Sequence, residues 1–584
     1  MVTGVLLALS TWVLALILIS VTGLALGTVG ASDRLSALRR SMWWGFAIAT
    51  ALVLVMSLVV PLGRSVTVLA LMGAAILSAA LAFAPFMRLP CGLRRLRASE
   101  WLVFLTLIAA VSYLALAALG PVTNYDSGLY HLGALRYQQE VGLVPGIANL
   151  YFPLGYGNSV IPWSAFLGST PWDGNGFRLF NGLLLTALAA ETVIRLLQRR
   201  NSPGTYLLLF ALIFVWIPMV ALSDYWVTSP TSDSSVLILT SVAVAYLADG
   251  VHQSRAGRKP WANFGVAVTV GWVLVSMRPT MVIFALAVFA IAMIVTVRNR
   301  ADVPLRPTRT LRTLTAVTLV FGLILGVIQV LRDRMLSGWL QYPLSIFAFD
   351  VPWLAPNPTE ARTATLGAAR DPENLWVAAE SWDWIPGWIA RLPSQWEFWL
   401  TILLAAASTA LVFLAHRSEK GFQARSVTLA AAPSALAVLA WFVASPPSFR
   451  FIWGPLFTLT AIPGAFAACA LAGRQRPTPF PARRTLSAAL AVPLLIITAF
   501  SAATRFDFQE VTSPQTFVAG PISIPYTVAA IPEPEVADRA LPSGLTVVIP
   551  VESDQCWAVY PLCTAQLPDS VALLGDDWQE GFRH

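Results

Sequence analysis

Val5-Leu-Leu-Ala-Leu-Ser-Thr-Trp-Val-Leu-Ala-Leu-Ile-Leu-Ile-Ser-Val-Thr-Gly-Leu-Ala-Leu26 carries no charged side chain. A run of about twenty apolar residues is long enough to cross a bilayer as a helix, and a helix satisfies its own backbone hydrogen bonds there. No basic segment precedes it, so it reads as a signal-anchor helix and not as a cleaved signal peptide. Similar runs recur at 43–62, 66–87, 101–120, 176–197, 204–222, 233–250, 262–277, 279–297, 312–331, 396–415, 426–444, 451–472 and 485–502, with the first taken as 4–28. The fold they imply is an all-α polytopic membrane protein with about 14 transmembrane helices. Composition agrees: 57% of the 584 residues are hydrophobic and 12% charged, whereas a soluble domain carries about twice that charged fraction.

The runs around Met277-Arg278-Pro279 read as two crossings, because the loops His252–Pro260 and Arg298–Arg312 are both basic and belong on one side. With the N-terminus outside, every basic loop falls inside, and 25 of the 38 basic residues lie in those loops, as the positive-inside rule requires. The formal charge of +8 is therefore topology, and nucleic acid is not an expected partner. Only Lys259 and Lys420 are lysines; this arginine bias, with abundant Ala, suggests a GC-rich bacterial genome.

This topology divides the chain into N-terminal helices (1–120), a first outer loop (121–175), a second set of helices (176–331), a second outer loop (332–395), C-terminal helices (396–502) and an outer tail (503–584). In the tail, Leu545-Thr-Val-Val-Ile-Pro-Val551 reads as a buried strand, so the tail is expected to be a small α/β appendage. Cys556 and Cys563 are either a disulfide or two free thiols; an oxidising compartment favours the bridge. His131, His252, His416 and His584 have no metal-ligand spacing.

Chemistry concentrates in Asn124-Tyr-Asp-Ser-Gly-Leu-Tyr-His-Leu-Gly-Ala-Leu-Arg-Tyr-Gln-Gln-Glu-Val-Gly-Leu-Val-Pro-Gly146. Asp126 or Ser127 can cap a helix. Leu129, Leu132 and Leu135 form one stripe, with Tyr130, Ala134, Tyr137 and Val141 beside it, and Gly142 and Pro145 end it. Such an amphipathic helix lies in the membrane interface, with an acid, two tyrosines and a histidine at the surface.

These residues resemble the GT-C superfamily of membrane glycosyltransferases, in which an acid in the first large outer loop precedes an interfacial helix. More narrowly, Asp126-Ser-x-x-Tyr-His131 followed by Val144-Pro-Gly-x-x-Asn149 resembles a group of bacterial multi-pass envelope proteins. Ser337-Gly-Trp-Leu-Gln-Tyr-Pro343 with Asp350, Phe449-Arg-Phe451 with Pro455, and Cys556…Pro561-Leu-Cys-Thr564 with Gly581-Phe582 extend the likeness. The resemblance implies a sugar carried on a polyprenyl phosphate, a glycan or lipid acceptor, inversion at the sugar, and a site on the outer face of a bacterial cytoplasmic membrane. Asp-Ser stands here where many superfamily members have Asp-Glu, so a divalent metal is not supported.

Such a reaction needs a base for the acceptor hydroxyl and a cation for the phosphate leaving group. Asp126 is the expected base, with Tyr130 and His131 shaping its pocket. Arg278 and Arg450, at predicted outer helix ends, are the expected phosphate ligands, followed by Arg332 and Arg334. Asp224, in a short outer loop, and Trp382, in the Trp-rich second outer loop, are acceptor candidates, although Asp224 also suits a capped loop and the tryptophans also suit the membrane interface. Glu191 lies within a span one turn from Arg195 and reads as a structural pair; Arg136 reads as a partner of Glu140.

Two rivals share the topology. An O-antigen polymerase or ligase would rely on arginines of 332–395. A transporter or flippase would carry buried charge near the midplane, and apart from Glu191 the spans read as poor in it. No Walker A loop, Gly-x-Gly-x-x-Gly or His-Glu-x-x-His occurs, and the cytoplasmic loops are too short for a nucleotide domain.

Overall fold

The computed structural model describes residues 2–584 apart from 93–97, 169–170, 173, 199, 215, 217–221, 303–308, 372, 418–422, 445–447, 474–491, 493–494, 497, 502, 505–512, 520–521 and 569. The elements that matter below are α1 (Val2–Thr22), α2 (Arg34–Val59), α3 (Val66–Arg88), α4 (Ala98–Ala117), α5 (Leu132–Glu140), α6 (Phe180–Leu197), α7 (Pro203–Phe214), α8 (Ser232–Arg255), α9 (Trp261–Met277), α10 (Val282–Asp302), α11 (Arg309–Ser337), α12 (Trp384–Arg391), α13 (Trp396–His416), α14 (Ala424–Ala444) and α15 (Phe449–Ala472).

Among the described residues, ten helices are long and apolar enough to cross a membrane. Three shorter apolar helices, Trp101–Ala117, Pro203–Phe214 and Trp261–Met277, accompany them. Together they fall on every predicted run but the last; 485–502 lies largely outside the described residues, as do several arginines of the basic loops. The chain is thus a polytopic helical membrane protein.

Helix α8 is the axis of the bundle. It is buried along its whole apolar window and packs on α7, α9, α14 and α15. Small residues permit this: a Cβ on Gly454 of α15 would sit 2.8 Å from Thr240 Oγ1 of α8, so the two backbones approach closely, as small residues allow in membranes. Local capping is legible. Asp33 accepts the Ser36 amide at the start of α2, and Thr231 accepts that of Asp233 at the start of α8, satisfying otherwise orphaned donors.

The tail departs from expectation. After β1 (Trp339–Gln341) and β2 (Leu344–Ala348), which pair between α11 and α12, the described tail residues form β3 (Ser513–Ala519) with β4 (Ile522–Val528), β5 (Val536–Ala540) with β6 (Thr546–Pro550), and β7 (Ala572–Leu573) with β8 (Phe582–Arg583), all antiparallel pairs. No α-helix lies among the described residues from 513 onward, so this region is a set of two-stranded pairs and not an α/β appendage. The expected strand at 545–551 is β6; only its Val547 and Pro550 are buried, because a two-stranded ribbon leaves one face open. Cys556 and Cys563 are disulfide-bonded.

Two further corrections concern burial. The Asp126 helix is not a free interfacial helix: Leu132, Leu135, Tyr137, Gln138 and Gln139 are buried, because the tail and the helix Val160–Leu167 cover it. Nor are the spans poor in buried charge. Arg178, Arg195 and Asp249 lie inside the predicted runs, and Arg39, Arg332 and Asp333 lie just beyond them, where α2 and α11 run further than their apolar cores; all six are at most 1% exposed.

Candidate active site

The chain leaves α4 and turns at Asn124, whose Oδ1 accepts the Ser127 amide at 3.2 Å. Asn124 therefore performs the capping expected of Asp126 or Ser127. Asp126 has helical backbone angles and makes no cap bond. Ser127–His131 then form a π-helical turn before α5, a geometry concentrated at functional sites. Ser127 Oγ lies 2.6 Å from Ser229 Oγ, tying this turn to the loop ahead of α8. Asn181 Nδ2 donates to the Trp226, Ser229 and Thr231 carbonyls and holds that loop in place.

Relieved of capping, Asp126 Oδ2 accepts from Arg450 Nη1 at 2.8 Å. The two side chains are 22% and 30% exposed, so this ion pair is open to a ligand. Arg278 joins it. Its Nη1 donates to the Phe451 carbonyl at 3.1 Å and its Nη2 to Ser232 Oγ at 2.9 Å, and it pairs with the buried Asp233. The Arg450 and Arg278 guanidiniums lie 4.8 and 5.3 Å from the ring centre of Phe451. Two acids and two arginines from four separate segments thus meet at one end of the bundle, called the Asp126 end below.

His131 is buried, and its Nδ1 makes no hydrogen bond. Burial pulls its pKa down to about 4, against the pull of Asp126, so the ring is neutral at physiological pH. It meets Tyr130 edge-on at 4.4 Å, and Tyr130 meets Tyr156 at 5.6 Å. Burial, then Asp126, raises the Tyr130 phenol well above its ordinary range, which keeps it a hydrogen-bond donor. Tyr130 and His131 form an uncharged wall beside the acid.

The remaining candidates lie elsewhere. Arg332 does not join Arg278 and Arg450; its Nη1 donates to Ser57 Oγ of α2, because α11 packs on α2. Arg334 lies over Trp353 and Phe349. Asp224 binds chain to chain: its carboxylate accepts from Thr123 Oγ1 at 3.1 Å and its carbonyl from Thr123 N, the loop role weighed beside acceptor binding. Trp382 is exposed and stacks on Trp384 at 6.1 Å; the run continues through Trp388 to Phe449, the residue before Arg450. Glu191 pairs with Arg195 at 2.6 Å and with Arg39 at 2.9 Å, and Arg136 with Glu140 at 3.7 Å.

The tail closes over the Asp126 turn. Trp557 N donates to the Gly128 carbonyl at 2.7 Å, Gln555 Nε2 to the Tyr125 carbonyl at 2.9 Å, and Tyr125 OH to Asp554. A Cβ on Gly128 would stand 2.8 Å from the Trp557 ring, so only glycine lets the tail settle. Asp233 as the acid on Arg278, Phe451 between the arginines, and the cover by residues 554–557 are not legible in the sequence. Phe449-Arg-Phe451 and Cys556 belong to stretches that carry the resemblance, and Asp233 before Ser234 and Ser235 is an acid at a helix start, but none of these signals gives the pairing.

A helical membrane protein with a mixed-charge site at one end of its bundle is the class that fold and site define. Residues 5–457 match the family described as Domain of unknown function (DUF8201), and the chain belongs to that family. The match includes Asp126, Asp233, Arg278 and Arg450. A search of curated proteins and a search of solved structures found no match.

Proposed function

We propose that the chain is a membrane glycosyltransferase that moves a sugar from a polyprenyl-phosphate donor to a glycan or lipid acceptor of a bacterial envelope, on the extracytoplasmic side. The observation that carries this reading is the open Asp126–Arg450 pair, with Arg278 fixed against the carbonyls of residues 450 and 451. A carboxylate and a guanidinium in contact are the base and the phosphate ligand that such a transfer requires.

In the resting site each group neutralises the other. A donor phosphate at Arg450 gives the guanidinium a second, bidentate acceptor and releases Asp126. The acceptor hydroxyl gives its proton to Asp126 as its oxygen bonds to the anomeric carbon. The bond from that carbon to the phosphate oxygen breaks, and polyprenyl phosphate leaves with its charge held by Arg450 and Arg278. Neutral His131 and Tyr130 keep the pocket beside the acid free of competing charge.

The test compares wild type with Asp126→Asn. Both are purified, checked for monodispersity, and given radiolabelled polyprenyl-phosphate sugars with an envelope acceptor fraction. Transfer by wild type and its loss in the variant, with donor binding retained, supports the reading. Equal transfer by both removes Asp126 as the base.

Transport of a lipid-linked glycan, the rival weighed above, needs buried charge near the midplane, whereas the buried charges here lie toward the ends of their helices. Vesicles containing the protein and a labelled lipid-linked sugar, without acceptor, separate the two: translocation without transfer selects transport.

A further inference from the structure

The tail strands from Ser513 onward lie outside the residues that match the family, yet they grip the stretch carrying Asp126 on either side. Before Asp126, Ala529 N donates to the Leu119 carbonyl at 2.8 Å. Arg178 staples the same two segments, with Nη1 donating to the Gly120 carbonyl and Nη2 to the Ala529 carbonyl at 2.7 Å. It is fully buried and makes no ion pair among the described residues. A buried guanidinium is tolerated only where acceptors fill its donors, and one of those acceptors is the docked tail.

Beyond Asp126, Asp554, Gln555 and Trp557 bond to Tyr125 and Gly128. The disulfide between Cys556 and Cys563 ties this loop to a further grip, where Leu562 N donates to Tyr137 OH of α5 at 3.0 Å. Asp126 itself makes no cap bond, and its carboxylate is bonded to Arg450 alone among the described side chains. The place of that carboxylate is therefore set by the turn that carries it. Ser127–His131 is a single π-helical turn, too short to be stable without outside contacts, and the tail supplies them.

We infer that the tail loop Asp554–Trp557 is a positioning element of the site, a clamp that holds the Ser127–His131 turn and so sets Asp126 against Arg450. Its kinetic consequence rests on the transfer reading; the clamp itself does not.

The full chain in detergent tests this with Gly128→Ala, Trp557→Ala and Trp557→Phe. Gly128→Ala removes no hydrogen-bonding group but puts a methyl where the Trp557 ring and the Gln555 amide lie, 2.8 and 2.9 Å away. Hydrogen exchange of the peptide 124–131 reads the clamp. Gly128→Ala and Trp557→Ala should speed it by about tenfold or more, and Trp557→Phe should stay near wild type. Transfer kinetics read the positioning. In the first two variants kcat should fall about 10- to 100-fold, as displacing a reacting group by about 1 Å does. The KM for donor should hold within about twofold, because the tail makes no bond to Arg278 or Arg450 among the described residues. Trp557→Phe should recover kcat, which a loss of folded protein alone would not explain. Unchanged exchange in Gly128→Ala and Trp557→Ala overturns the clamp. Faster exchange with unchanged kcat overturns the positioning. Faster exchange in the variants of a protein whose wild type transfers no sugar supports the clamp and removes the transfer reading.

Discussion

The two ends of the bundle each hold an ionic cluster, and they are built differently. At the Glu191 end, Glu191 accepts from Arg39, Arg195 and Trp43, and Tyr246 OH lies 3.3 Å from it. Asp249 accepts from Arg195 and from Gly204 N. All four charged side chains are at most 1% exposed. At the Asp126 end, the Asp126–Arg450 pair is partly open and contains one direct bond. A buried network whose oxygens are filled fixes helices in register. An open pair that leaves hydrogen-bonding capacity to spare can exchange one partner for a ligand. The contrast assigns structure to the first cluster and chemistry to the second.

The largest expected effect would break the comparison at the structural end. Glu191→Gln leaves Arg39 and Arg195 undercompensated in a dry site, so stability should fall by about 3–5 kcal/mol. A detergent melting curve checks this; an unchanged curve would place Glu191 among the dispensable pairs. At the other end, Asp126→Asn should lower transfer by about 100- to 10,000-fold while the melting curve hardly moves, since a partly exposed pair contributes only about 0–1 kcal/mol.

His131 gives a pH test. Its folded pKa, about 4, lies below the ordinary 6.5. The unfolded chain therefore takes the proton first, and the contribution is complete above pH 6.5 and is lost as pH falls toward 4. Its full size is on the order of 3 kcal/mol. As pH falls from 7 to 4, wild type should lose stability that His131→Gln keeps, so the difference between their melting curves should change across that window; curves that stay parallel would remove His131 as a titrating group.

The smallest effect sharpens the comparison. Arg450→Lys keeps the charge but loses the planar fork, so the KM for donor should rise about tenfold with kcat less affected. A drop in kcat alone would assign Arg450 to the transition state and not to donor binding.

Much of the fold was legible because spanning helices are specified locally. A run such as 233–250 announces a helix by length and apolarity, and the structure extends it to Ser232–Arg255. Ends were less legible. Arg39 and Arg40 looked like loop residues, yet α2 begins at Arg34 because Asp33 caps it. In the candidate site, Asp126, Arg278 and Arg450 were each visible as charges at helix ends. That Arg450 meets Asp126, that Arg278 reaches Asp233, and that Arg332 turns away to Ser57 were not visible, because a sequence does not state which helix ends are neighbours.

By itself the sequence determined that this chain crosses a membrane many times, since about twenty uncharged residues in a row have no comparably stable place in water. It also determined that polar chemistry gathers at helix ends, where charge costs least. Tertiary structure alone decided the partners: α8 at the centre, Asn124 in place of Asp126 as the cap, and Asp126 beside Arg450 across 324 residues of chain. The physical reason is range. Hydrophobic length and capping act within a few residues, whereas ion pairing depends on packing between helices, and packing is a property of the whole bundle.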